Sequence, residues 1–221
     1  MEDNFVGMSR RQFLTVAASM AMYVPLSLNE VVAQTSLRRT PDDILGPFYP
    51  AGKSPVTGMD LTTGPSGRAE GQVVHIMGRV LNRKGEPVAR AHLEIWQANT
   101  HGRYTHVSDT NPAPLDPNFL GFAAQTTDEE GRFNFKTIKP GAYPTGIDGW
   151  TRPPHIHFDA KARTDRVITQ MYFSGEPLND KDELLLRIRR KEAVIAKVLP
   201  ATPNLEPGSL IAAWDIVLTQ G

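Results

Sequence analysis

From Val73 onward, apolar and polar residues alternate at the two-residue period of strands with one buried face. Val73–Leu81 reads as such a strand, closed by the turn Arg83-Lys84-Gly85-Glu86-Pro87. Ala91, Leu93 and Ile95 alternate with His92, Glu94 and Trp96 in a second. Asp128-Glu129-Glu130-Gly131 separates the region of Phe122 from a third alternation, Arg132-Phe133-Asn134-Phe135-Lys136. Further strands are expected at His155–Lys161, 167–173 and 211–218, and the charged stretch 180–198 is the one helical expectation, broken near Arg190. Short strands with regular turn signals predict an all-β fold. The expected architecture is a β-sandwich core of two mostly antiparallel sheets, with long loops and a short helical segment near the C-terminus. Residues 34–71 are rich in Pro and Gly and show little periodicity, so they are read as an extended arm. Within it Leu45-Gly46-Pro47-Phe48-Tyr49-Pro50 stands out.

The N-terminal residues carry a different signal. Ser9-Arg10-Arg11-Gln12-Phe13-Leu14 resembles the twin-arginine export motif. An apolar run at 14–28 follows, and Val31-Val32-Ala33 offers a signal-peptidase site. The run is short for a membrane span and is broken by Pro25. The chain is thus expected to divide into a twin-arginine signal peptide at 1–33, the arm at 34–71 and a catalytic β-sandwich domain at 72–221. Export to the periplasm or the cell exterior follows, with transient contact with the twin-arginine translocation machinery. The alternative is an amphipathic N-terminal helix packed on the domain.

Composition narrows the function classes. The 221 residues hold 24 basic and 24 acidic side chains, so a nucleic-acid partner has no electrostatic support. Eighteen Gly and eighteen Pro suit many strands joined by tight turns. The absence of Cys excludes a disulfide framework and any thiolate-held zinc or iron–sulfur site.

Candidate chemistry concentrates in Arg152-Pro153-Pro154-His155-Ile156-His157-Phe158. On a strand His155 and His157 point to one face, roughly 6.6 Å apart, and Ile156 points to the other. Two imidazoles at that spacing can share a metal ion; the blander reading is two ordinary histidines on a solvated face. Tyr104 in Gly102-Arg103-Tyr104 and Tyr143 in Gly141-Ala142-Tyr143-Pro144 change the balance. A phenol with an ordinary pKa of about 10 is a poor ligand, but a bound cation holds the phenolate at neutral pH. Fe(III), hard and highly charged, matches phenolate oxygen best, and this chain offers no thiolate to softer metals. Two tyrosines and two histidines suggest a non-haem ferric site.

With these residues in view, the chain resembles the intradiol ring-cleavage dioxygenases, most closely the iron-bearing β subunit of their two-subunit type. The matching stretches are Leu93-Glu94-Ile95-Trp96-Gln97-Ala98-Asn99, Gly102-Arg103-Tyr104 and Ala113-Pro114-Leu115-Asp116-Pro117-Asn118-Phe119. They continue through Thr137-Ile138-Lys139-Pro140-Gly141, Tyr143-Pro144, the histidine motif, Ile168-Thr169-Gln170 and Tyr172-Phe173. The resemblance implies a β-sandwich core, Fe(III) held by Tyr104, Tyr143, His155 and His157, and cleavage of a catechol by O2 to a cis,cis-muconate. It implies that Tyr143 leaves the iron when substrate binds, that Arg152 stabilises charge on the bound ring, and that Gln170 belongs to the O2 pocket. Tyr49 is a candidate pocket residue, and Trp96 is read as packing near the iron. Thr145 stands where the β subunit carries a tryptophan, and Trp150 is the residue able to fill that space. A homo-oligomer or a pairing with a related subunit is expected. Extradiol cleavage, which needs two His and a carboxylate around Fe(II), is disfavoured by the tyrosines. The rival from another class is a secreted β-sandwich binding module that has lost catalysis. His75, His92, His101 and His106 are read as satisfied or surface histidines.

Overall fold

The computed structural model describes residues 36–147 and 149–220, so the export segment expected at 1–33 lies outside them. In the arm, β1 (Val56–Thr57), β2 (Thr63–Gly64) and β3 (Gly67–Arg68) are two-residue strands. The long strands β4 (Val73–Leu81), β5 (His92–Trp96), β6 (Phe122–Thr126) and β7 (Arg132–Ile138) follow. A short ribbon, β8 (Tyr143–Pro144) with β9 (Thr151–Arg152), leads into β10 (His155–Lys161) and β11 (Arg166–Phe173). Helix α1 (Glu183–Arg187) lies between two 3-10 turns, Pro177–Lys181 and Lys191–Ala193. β12 (Ile195–Pro200), β13 (Leu210–Ala213) and β14 (Ile216–Val217) complete the described elements.

Two expectations are corrected here. The helical stretch at 180–198 is helical only in part, because Ile188 N–H already closes α1 on Leu185 O and residues from Ile195 pair as β12. The strand expected at 211–218 splits at Trp214 and Asp215, where the Asp215 carboxylate takes Arg79 N–H in place of a ladder carbonyl.

Most ladders are antiparallel, as the alternation suggested: β10 with β5 and β11, β4 with β7, β5 with β6, and β12 with β13, whereas β13 runs parallel to β4. The expectation of two separate sheets meets a different topology. Ten strands form one hydrogen-bonded path, β1-β6-β5-β10-β11-β12-β13-β4-β14, with β7 on β4. β12 makes the path continuous, since its start pairs with Tyr172 and Phe173 while Lys197 to Pro200 pair with β13. The path curls over a shared core. Phe158 of β10 meets Phe133 and Phe135 of β7 at 6.1 and 6.3 Å, although the two strands are far apart along the ladder. Ile76, Leu93, Ile95, Ile156 and Ala212 fill the same core, and each large apolar side chain buried there stabilises by about 1.5–3 kcal/mol.

β10 is buried on both faces. Ile156, Phe158 and Ala160 enter the core, while His155 and His157, each 2% exposed, lie on the opposite face. The reading of two histidines on a solvated strand face is therefore set aside. The arm supplies part of the cover: Leu45, Phe48 and Tyr49 pack against Trp96, Tyr104 and Phe122. It is tied down by Thr40 N–H to Val217 O (2.9 Å) and Asp43 N–H to Ile168 O (2.8 Å).

Candidate metal centre

Tyr104 lies in the loop after β5 and Tyr143 opens β8, and Asn99, just past β5, holds the approach to both. Its carbonyl accepts from Gly102 N–H and Gly141 N–H at 3.0 and 2.9 Å. Its side-chain oxygen accepts from His101 and Arg103 N–H, and its amide donates to Pro114 O. The loops touch backbone to backbone. A Cβ on Gly102 (φ +78°) would stand 2.3 Å from Ala142 O, and one on Gly141 would stand 2.4 Å from Thr100 O. This contact explains why a glycine precedes each tyrosine by two residues. Asp109 then fixes the first tyrosine by accepting its N–H at 2.6 Å.

The four candidate ligands meet where β8, β10 and the Tyr104 loop converge. The His155 and His157 rings lie 5.1 Å apart at 71°, Tyr104 lies edge-on to Tyr143 at 5.6 Å, and Tyr104 is 6.2 Å from His157. Tyr143 Oη is 3.4 Å from His155 Nε2. His155 Nδ1 is 2.7 Å from Pro153 O, and a carbonyl only accepts, so Nδ1 carries the proton and Nε2 keeps a lone pair on the side of Tyr143. Trp96 stacks on His157 at 4.9 Å and 11°, which fixes that ring from behind.

The electrostatics suit a cation. Burial, with Arg152 nearby, lowers His157 to about 3 and holds His155 well below its usual value, so both imidazoles are neutral donors. Burial raises Tyr104 well above its ordinary value, and it raises Tyr143 too. Tyr104 Oη and His157 Nδ1 are buried without a hydrogen-bond partner. A buried polar atom without a partner is costly unless something occupies the space beside it. Among the described residues no three His, Asp or Glu side chains form a metal-binding group. The donor set is thus two phenols and two imidazoles, which fits a hard ferric ion.

Arg152, 4% exposed, stands at the rim of this set. Its Nε donates to Asp182 at 2.5 Å, and its Nη2 donates to Gln170 Oε1 at 2.6 Å and Tyr172 Oη at 2.9 Å. Gln170, expected in an oxygen pocket, is engaged by this network and by Ile44 O. A cleft of about 530 Å³ opens beside Tyr143 and Arg152, within the usual size range of small-ligand sites. Thr145 and Trp150 both line it, joined by Thr145 Oγ1 to Trp150 O at 3.1 Å. The Trp150 ring lies 5.9 Å from the Arg152 guanidinium. Tyr49 is a correction: Phe48 lines the cleft, whereas Tyr49 packs behind Trp96 at 5.0 Å and its hydroxyl donates to Glu94 at 2.8 Å.

Sequence reasoning missed Asp182, Tyr172, Asn99 and Phe48. Tyr172 was within reach, because it lies two residues after Gln170 on the same strand face. Of the other histidines, His75, His92 and His101 pair with Glu206, Glu94 and Glu70, and His106 Nδ1 accepts Ser108 N–H.

Comparison with known proteins gives a consistent set of relatives. A family model described as Dioxygenase matches residues 44–220. The chain is 46% identical over 142 residues to the protocatechuate 3,4-dioxygenase beta chain of Burkholderia cepacia, covering 62% of this chain and 60% of that one. It is 31% identical over 172 residues to catechol 1,2-dioxygenase 2 of Acinetobacter lwoffii, covering 70% and 59%. The matches thus span about 60% of the length of these curated relatives. Among solved structures, the dioxygenase domain of a dioxygenase–carbohydrate-binding fusion from Streptomyces sp. SirexAA-E superposes with a TM-score of 0.65. That pair is 29% identical and covers 83% of this chain and all of the other.

Proposed function

The chain belongs to the intradiol ring-cleavage dioxygenases, and from that premise we propose that it cleaves a catecholic aromatic with O2 to a cis,cis-muconate-type product, using a non-haem Fe(III). The observation that carries the proposal is the convergence of Tyr104, Tyr143, His155 and His157, with Tyr104 Oη and His157 Nδ1 buried and unpartnered. These four residues would hold the metal. When bound, Fe(III) supplies a Lewis acid that binds both catechol oxygens and activates the ring toward O2.

The rest of the work falls to the protein. Tyr143 lines the open cleft while Tyr104 is shut away at 3% exposure, so Tyr143 is the phenol positioned to exchange with substrate and take up a catechol proton. Arg152 presents a fixed cation at the cleft wall, where charge developing on the ring is stabilised in a largely water-free setting. Gln170 and Tyr172 hold its guanidinium in place. Phe48, Thr145 and Trp150 shape the space above the ring.

Two further readings belong to the same proposal. Ser9-Arg10-Arg11-Gln12-Phe13-Leu14 supports export by the twin-arginine route after folding. The Burkholderia cepacia relative is named a beta chain, which supports assembly with a related subunit or a second copy.

The test is reconstitution with Fe(III), followed by oxygen uptake and product spectra across a panel of catechols. A red-brown tyrosinate-to-iron band with muconate formation is expected. Iron binding without ring opening would favour the binding-module reading instead.

A further inference from the structure

We propose that the cleft selects catechols whose ring substituent is uncharged and apolar, and discriminates against ring carboxylates. This rests on the intradiol reading and adds the class of substrate. It also separates this chain from the relative named for protocatechuate, which is a ring carboxylate.

Among the described residues, two charged side chains line the cleft, Asp109 and Arg152. Asp109 is an anion, and the charge of Arg152 is already balanced by a buried carboxylate. Arg152 is already matched by Asp182, which is fully buried, and its Nη2 is shared by Gln170 and Tyr172. Asp109 adds negative charge to the wall, with Oδ2 on Tyr104 N–H and Oδ1 on Asn111 N–H. Of the cations nearby, Arg103 donates to Ala113 O, Lys53 to Thr105 O and the exposed Arg187 to Glu183, while Arg189 and Arg190 lie along the adjoining groove that shares Ile44 and Leu184.

The remaining wall is largely apolar, from Phe48, Pro47 and Ile44 on one side to Trp150 and Leu184. Ile44 is 49% exposed, so the apolar lining continues to the mouth. A carboxylate carried along this wall would shed water, meet no cation but the already paired Arg152, and approach Asp109. Burying a charge on those terms is costly, whereas an alkyl or ester group gains from the same contact.

Three ring-matched compounds test the inference on iron-loaded protein: catechol, 3,4-dihydroxybenzoate and its methyl ester. The readouts are kcat/KM by oxygen uptake and Kd by anaerobic equilibrium dialysis. The ester is expected to exceed the acid by at least about 30-fold in both, equivalent to about 2 kcal/mol. Thr110→Lys, which adds a cation on the exposed part of the wall, should narrow the ratio by raising the value for the acid. Equal values for acid and ester in the unmodified protein would overturn the inference. So would a ratio that survives the added lysine, because size rather than charge would then set it. If none of the three is cleaved, catechol included, the intradiol reading fails, while the dissociation constants still decide the charge preference.

Discussion

The carboxylate of Asp182 joins Arg152 to the first turn of α1, accepting Arg152 Nε through Oδ2 at 2.5 Å and Leu185 N–H through Oδ1 at 2.8 Å. One buried side chain therefore caps a helix and orients the cation at the cleft wall. Asp182→Asn keeps an acceptor for the cap but strands the Arg152 charge. Removing one partner of a buried pair costs about 3–5 kcal/mol, so urea denaturation should show a loss of about 3 kcal/mol. Turnover should fall by at least about tenfold with iron content unchanged, given the charge-stabilising role assigned to Arg152. Unaltered stability would mean that the pair is not formed in solution.

Tyr104→Phe should have opposite effects on the two forms of the protein. Without metal it removes a buried hydroxyl that has no partner while keeping the ring packed 4.6 Å from Phe48. The iron-free protein should therefore be stabilised by about 1 kcal/mol. With metal, the visible band should shift or vanish and ring cleavage should stop; His157→Ala should also abolish cleavage. An unchanged spectrum and turnover in both variants would refute the ligand assignment.

Gly102→Ala places a methyl 2.3 Å from Ala142 O at a φ of +78°. The left-handed conformation alone costs about 1–2 kcal/mol for a residue with a side chain, and the contact forces the tyrosine loops apart. A thermal melt should show that loss, and iron affinity should fall because both phenols shift together. Normal iron content with an unchanged visible spectrum would show that the loops move independently.

Glu206 gives a pH signature away from the site. Its hydrogen bond with Lys136, helped by its own backbone and by His75, holds its pKa at about 2, below the ordinary 4.5. Because the folded value is depressed, its contribution is fully present above pH 4.5 and is lost as pH falls from 4.5 toward 2. The pair is near the surface, so the effect is about 0.2–1 kcal/mol. Melting temperatures of Glu206→Gln and the parent should converge across that window; parallel curves would contradict the linkage.

Replacing Arg10 and Arg11 with Lys should trap the precursor in the cytoplasm, because a guanidinium pair presents a planar donor fork that ammonium groups lack. Fractionation of the double variant checks this, and normal export would show that the N-terminal motif is misread.

The histidine strand was legible because alternation forces His155 and His157 to one face and Ile156 to the other, and β10 has the expected bounds. The tyrosines were legible through their glycines, though the reason for those glycines is a contact between distant loops. Asp182 was not legible. It lies in the charged run Asp180-Lys181-Asp182-Glu183, which reads as a solvated face until the fold closes over it. Tyr49 and Phe48 were confused because an arm without periodicity gives no rule for which side chain turns inward. The single strand path escaped prediction because it depends on β12, whose Ile195 and Ala196 follow directly on a segment rich in charge.

The arm has a consequence for the order of events in folding. Residues 40–49 are made early, yet Tyr49 needs Glu94, Asp43 needs Ile168, and Thr40 exchanges hydrogen bonds with Val217. Contacts across such separations form late, since the intervening loop must first lose its entropy. The anchor of Thr40 on Val217 can form only once the last strands have been made. Phe48, which packs against Tyr104 and Tyr143, thus belongs to a segment whose far anchor is made last.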